Sequence, residues 1–217
     1  MTATDQPISI NCKKTCERLK SECSFIINLL PMSLNASDLP TSLPVPKDDG
    51  ACDHLPGSTL PAISLRSTSG RLVNLAEITP PTVFFFYPRN AQPHETIPEE
   101  WNLIPGARGC TPHSCGFRDL HAEFKALGFQ VFGLSTQDTE YQKELVQRVH
   151  LPFEILSDAD FKLVAALRLP VFDYHGVRLV KRMAWIVEGG KIVKVFYPVF
   201  PPDKNADEVL TWIKSRR

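Results

Sequence analysis

The sequence has no excess of charge of either sign: 24 Lys and Arg are balanced by 24 Asp and Glu. It therefore lacks the electrostatic footprint of a chain that binds nucleic acid or an anionic membrane surface. It also lacks any apolar run near the ~20 residues needed to span a bilayer. The apolar stretch SFIINLL at 24–30 is short and follows Glu17 and Glu22, which argues against a secretory signal and weakens a transit-peptide reading. No internal repeat is present. What the chain does have is six cysteines in 217 residues. Without an export signal these are expected to be reactive or buried thiols rather than a disulfide framework, and the expected home is the cytosol. A hydrophobic content of 43% suits one core domain with an extension.

The chain divides near residue 48. Cys12, Cys16, Leu19, Cys23, Ile26 and Leu30 recur at spacings of four and three, the apolar stripe of an amphipathic helix over 1–30. A metal site built from Cys12, Cys16 and Cys23 with Cys52 is the weaker alternative, because no ligand-rich knuckle accompanies them and free cysteine packs as a small hydrophobe. Residues 31–48 hold four prolines and no periodic apolar face, so they read as a linker.

From 49 to 217 strands and helices alternate. LPAISL and RLVNL flank a Ser-Gly turn and can pair as a hairpin. TVFFFYP, ending at Pro88, is a continuous apolar run suited to a strand buried on both faces. A helix is expected from Cys110 to the Gly128 stop, then a strand FQVFGLST, a helix over 138–150, a strand FEILS and a helix over 159–168. RMAWIVE and KIVKVFYP are joined by Gly189-Gly190, a strong hairpin signal. A last helix carries Ala206, Val209, Leu210 and Ile213 on one face. This order predicts a three-layer α/β domain around a mixed sheet.

Within GARGCTPHSCGFRDLHAEF, the apolar residues Phe117, Leu120, Phe124 and Leu127 recur at helical spacing, so Cys110 falls at the loop-to-helix junction with Cys115 about a turn and a half further in. In a formed helix, residues five apart point about 140° from each other with α-carbons roughly 8–9 Å apart. A disulfide needs those carbons within about 7 Å. Both thiols fit a formed helix, but bridging them requires its first turn to open.

A thiolate, not a thiol, is the nucleophile, and the first turn of a helix favours that anion with its free N–H groups and dipole. Lowering a thiol pKa from about 8.5 to about 6 raises the thiolate fraction near neutrality by roughly tenfold, worth roughly 1.5 kcal/mol. That is too little for a fast enzyme. Most acceleration must come from donors fixed around the charge that develops on a leaving oxygen, and an arginine from another strand is the natural source. If Cys110 is oxidised to a sulfenic acid, Cys115 can condense with it. Against this stands the plain alternative that each cysteine is a core residue.

The stretch GCTPHSCGFRD resembles the active-site signature of peroxiredoxins of the bacterioferritin-comigratory, or PrxQ, group. FFFYP, VFGLSTQD, LPFEILSD and VKRMAWIVEGGKI follow in that group's order, so the resemblance spans about residues 49–217. It implies a thioredoxin-like fold and a thioredoxin-regenerated peroxidase of the atypical 2-Cys type, acting on hydrogen peroxide or alkyl hydroperoxides as a monomer or homodimer. No cofactor, metal, nucleic-acid or membrane partner is implied. By the same resemblance Cys110 is the peroxidatic and Cys115 the resolving cysteine, Arg182 stabilises thiolate and peroxide, and Gly109 and Thr111 border the substrate. Lys181 is expected to be solvated and Cys52 to be a spectator; His113 could help hold the thiolate, though an exposed helical histidine is the plainer reading and the one expected.

One departure stands out. The group carries Pro-x-x-x-Thr-x-x-Cys, but the hydroxyl position is Ala107 here and the proline position is Leu103. Pro88 resembles the group's proline, and an extended loop separates it from Cys110. Thr111, Thr96 or backbone N–H groups are the candidates to orient the peroxide instead. A thiol–disulfide oxidoreductase would show Cys-x-x-Cys, which is absent; a non-catalytic redox sensor on the same fold is the other alternative. The N-terminal 1–45 are expected to be dispensable for chemistry.

Overall fold

The computed structural model describes Leu39 and residues 42–216. The expected helix over 1–30, with its cysteine stripe and the alternative metal site that needs it, lies outside the described residues. Of the linker, residues 42–48 are described and form no regular element.

Among the described residues a seven-stranded sheet runs in the order β2-β1-β5-β4-β3-β8-β9. The strands are β1 (Ser64–Ser67), β2 (Leu72–Asn74), β3 (Thr82–Phe86), β4 (Gln130–Ser135), β5 (Ile155–Ser157), β8 (Met183–Glu188) and β9 (Lys191–Phe196), with β6 (Val171–Tyr174) and β7 (Val177–Val180) paired as a separate hairpin. β3, β4 and β5 are parallel, while the β1–β2, β1–β5, β3–β8 and β8–β9 pairs are antiparallel, so the sheet is mixed. The helices are α1 (Glu99–Asn102), α2 (Cys110–Asp119), α3 (His121–Ala126), α4 (Thr139–Arg148), α5 (Lys162–Leu167) and α6 (Asn205–Lys214). This is the thioredoxin-like α/β architecture.

β3 explains the layering. All five of its residues are buried, and successive side chains point to opposite faces. Val83 and Phe85 enter a core shared with Phe117 of α2, Phe124 of α3, Leu145 of α4 and Val209 of α6. Phe84 and Phe86 enter the other core with Trp185, Leu163 of α5, and Cys52, Leu55 and Leu60 from the segment before β1. Phe85 stacks on Phe117 with ring centroids 4.4 Å apart and planes at 8°, which seats α2 on the sheet. Its register neighbour Gly133 makes the room: a Cβ there would stand 2.9 Å from the Phe85 ring.

Two expectations are corrected. The helix expected from Cys110 to Gly128 breaks at Leu120 (φ −97°, ψ 4°) into α2 and α3, and Phe124 of α3 packs in the same core as Phe117 of α2. The region between Pro88 and Cys110 is not plain loop either. It holds α1 and packs Ile97, Trp101, Ile104 and Ala107 against Phe172, Tyr174 and Leu179 of the β6–β7 hairpin. Glu100 holds that contact by accepting from Tyr174 Oη (3.1 Å) and pairing with His175 (2.6 Å). Glu95 ties the loop to α4, accepting from Tyr141 Oη and from Arg89.

Candidate active site

The site is assembled where α2 begins. Gly109 caps it in the left-handed region (φ 96°), a conformation that costs a residue with a side chain. Space also demands glycine, since a Cβ would lie 2.5 Å from Pro202 and 2.9 Å from Leu39. Cys110 follows, 4% exposed. Its Sγ sits 3.5 Å from the Ala107 carbonyl as a thiol donor. His113 N–H and Ser114 Oγ donate to the carbonyls of Gly109 and Cys110, so the first turn is formed.

Arg182 stands just before β8, and antiparallel pairing of β8 with β3 carries it beside this junction. It is 3% exposed rather than a surface residue. Its Nη2 is 3.1 Å from Cys110 Sγ. The same guanidinium donates to the carbonyls of Gly106, Ala107 and Arg108, each at 3.1 Å, and to His113 Nδ1 at 2.9 Å. Among the described residues no carboxylate pairs with it in a salt bridge. A buried cation needs partners, and here they are backbone carbonyls, a neutral imidazole and the cysteine sulfur. Negative charge forming on that sulfur, or on an oxygen beside it, meets a fixed donor with its full charge available.

His113 corrects the expectation of an exposed histidine. It is fully buried, edge-on to Phe85 (5.1 Å) and Phe117 (5.4 Å), with Nε2 2.9 Å from Asn205 Oδ1. Burial first, and the Arg182 charge second, hold its protonation well below the ordinary imidazole range. Asn205 was not singled out in the sequence; a polar residue opening an otherwise apolar helix face is the signal available there. Lys181 is not simply solvated, because Nζ meets Asp49 at 2.7 Å and Tyr197 Oη at 3.3 Å.

Cys115 is a free thiol in the same helix, 7% exposed within the Phe117 core. Burial pushes its pKa up, with Arg118 opposing. Cys52 is buried, 4.0 Å from Met183 Sδ, and burial pushes it up to about 12. Thr111 is half-buried in the first turn of α2. Thr96 instead lines a separate small cavity of about 30 Å³ with Arg89, Trp101 and Tyr174. Ala107 is fully buried against Trp101 and Leu179, so the small residue at the hydroxyl position fits the wall built by the long loop. Pro88 is buried, Leu103 exposed. Among the described residues no group of three His, Cys, Asp or Glu could hold a metal ion.

Residues 55–210 match the Redoxin family. Chloroplastic peroxiredoxin Q of Sedum lineare is 31% identical over 80% of this chain and 86% of its own length; that of Gentiana triflora is 30% identical over 81% and 76%. The chain belongs to the PrxQ group of peroxiredoxins. Among solved structures, the peroxidoxin BcpB of Mycobacterium tuberculosis superposes with a TM-score of 0.61 at 26% identity, covering 76% of this chain and 99% of its own. A PrxQ mutant from Xylella fastidiosa, at 21% identity and a TM-score of 0.62, shares the fold. Peroxiredoxins are peroxidases, and this chain is an enzyme of that class. No helix among the described residues is long and apolar enough to cross a membrane.

Proposed function

We propose that this peroxiredoxin reduces hydrogen peroxide and organic hydroperoxides with Cys110 as the attacking thiol and Cys115 as its resolving partner. The Cys110 thiolate attacks the nearer peroxide oxygen, the O–O bond breaks, and the leaving oxygen departs as water or alcohol after taking up a proton, leaving a sulfenic acid. The Cys115 thiol then displaces water from that sulfur to form an intrachain disulfide. An external dithiol of the thioredoxin kind returns both cysteines to thiols and leaves as a disulfide. The cytosol, where such reductants keep thiols reduced, suits this cycle.

The observation that carries the reading is the 3.1 Å approach of Arg182 Nη2 to Cys110 Sγ at a helix N-terminus. Arg182 favours the anion before reaction and the developing charge on the leaving oxygen during it. The spacing of the two cysteines supports the resolving step. Cys110 and Cys115 are both free in a formed helix, and at roughly 8–9 Å between α-carbons they meet only if its first turn opens. Opening breaks the bonds of His113 N–H and Ser114 Oγ to that turn. Reduced protein mixed with hydrogen peroxide or cumene hydroperoxide, with thioredoxin, thioredoxin reductase and NADPH, should consume NADPH in proportion to peroxide. No peroxide-dependent consumption, and no loss of Cys110 thiol on single turnover, would overturn it.

A further inference from the structure

His113 supplies an inference about how Arg182 is held, and it rests on Arg182 acting at Cys110 as proposed above. Arginine has donors and no acceptor. With Arg182 Nη1 2.9 Å from His113 Nδ1, that nitrogen must present its lone pair. The ring proton is therefore on Nε2, which donates to Asn205 Oδ1 at 2.9 Å. Asn205 is oriented in turn, because its Nδ2 donates to Glu208 Oε2 at 3.3 Å. One tautomer, neutral, satisfies every partner.

We propose that His113, set in this tautomer by Asn205, is the positioning residue that aims the Arg182 guanidinium at Cys110. Nη1 is anchored on the imidazole and Nε on the Gly106 carbonyl, so the plane of the fork is fixed and Nη2 points at Sγ. A carboxylate in the imidazole's place would anchor Nη1 equally well, but would neutralise the guanidinium. A neutral acceptor holds the geometry and leaves the charge to act on sulfur and peroxide. Among the described residues the groups seen against His113 are Arg182 before β8, Phe85 from β3, Phe117 of its own helix, and Asn205 from α6 with Glu208 behind it. The last helix of the chain thus reaches the chemistry through two side chains.

Two sets of variants test this by single-turnover kinetics and thermal melts. His113→Asn can place a carbonyl oxygen where Nδ1 stands, and should keep the peroxide step within about fivefold of wild type. His113→Leu, of similar bulk with no acceptor, should lose about 10–100-fold, the scale of misplacing a catalytic group. Asn205→Asp puts a carboxylate on Nε2 and draws a proton to the imidazole, whose Nδ1–H then repels Arg182. Its peroxide step should fall about tenfold or more at pH 6 and recover by pH 9, an ionisation absent from wild type and from Asn205→Ala. Equal rates for His113→Leu and His113→Asn at matched stability, or an Asn205→Asp profile parallel to wild type, would overturn the proposal. Should Asn205→Asp not fold, the His113 pair decides. If Cys110→Ser and Arg182→Ala lose the peroxide step while His113→Leu keeps the wild-type rate, this inference alone fails; an active Cys110→Ser removes the reading beneath it.

Discussion

Arg182 and Cys110 are 72 residues apart in sequence, yet Nη2 of one reaches Sγ of the other at 3.1 Å. Three bonds from the same guanidinium to the carbonyls of residues 106–108 make Arg182 both the clamp of the turn and the partner of the sulfur. Arg182→Ala should therefore lower kcat/KM for peroxide by about 2–4 kcal/mol, the usual loss for one fixed donor to developing charge, and also lower Tm. Arg182→Lys keeps a charge but not the fork, so it should recover only part of the rate. A kcat/KM for Arg182→Ala within threefold of wild type would show that another group does this work.

Cys110→Ser should abolish turnover, since a serine hydroxyl supplies almost no anion at neutral pH. The serine still packs at the start of α2, so the melt should stay close to wild type. Comparable peroxide consumption by this variant would place the nucleophile elsewhere.

Gly109→Ala should damage the site without touching a reacting atom. Its φ of 96° costs an alanine about 1–3 kcal/mol, and its methyl group would press on Pro202. A lower Tm together with a slower peroxide step is expected. Unchanged values for both would mean the junction relaxes freely.

The structure revises the expected tolerance to N-terminal truncation. Leu39 and Pro46 lie against Gly109 and Gly106, in the turn that Arg182 clamps. Deleting 1–35 should leave peroxide kinetics unchanged, whereas deleting 1–47 should lower Tm and slow the reaction. Identical kinetics for the two truncations would show that the linker's contacts carry no weight.

Much of this was legible in the sequence, for physical reasons. β3 announces itself because a strand buried on both faces needs unbroken apolar residues, and Gly189-Gly190 marks the β8–β9 hairpin because both positions have positive φ. Cys110 and Arg182 were legible through the motif around each. His113 was not. Its burial comes from Phe85, Asn205 and Arg182, which arrive from β3, α6 and the start of β8, and no pattern within α2 reports them. The β6–β7 hairpin and its packing on α1 escaped for a related reason: that small core is built from residues some 70 positions apart, with no regular period.

Acid should destabilise the protein through His113. The group is neutral in the fold and held well below 6.5 by burial and by Arg182, but in the unfolded chain it binds a proton as pH falls through about 6.5. Below that pH the unfolded state holds the extra proton, so this contribution is complete above about pH 6.5 and is lost as pH falls, at up to roughly 1.4 kcal/mol per unit. Urea midpoints from pH 7.5 to 5 should decline for wild type and decline less for His113→Asn. Parallel slopes would assign the acid sensitivity to other groups, His121 among them.

The spacing of the two cysteines makes the last prediction. Cys115 sits within the Phe117 core, and burial pushes its thiol pKa up, so it is a poor nucleophile until α2 opens. Sulfenic acid formation at Cys110 should therefore be fast and the disulfide slow, with the helix opening between them. Cys115→Ser should still consume one peroxide equivalent per chain and then stall as a sulfenic acid, open to over-oxidation or to rescue by an added thiol. Far-UV circular dichroism of the wild type should lose helical signal on oxidation, and peptide mapping should find residues 110 and 115 bridged within one chain. A bond from Cys110 to Cys52, or to a cysteine near the N-terminus, would return Cys115 to the core and give the resolving role to that other thiol.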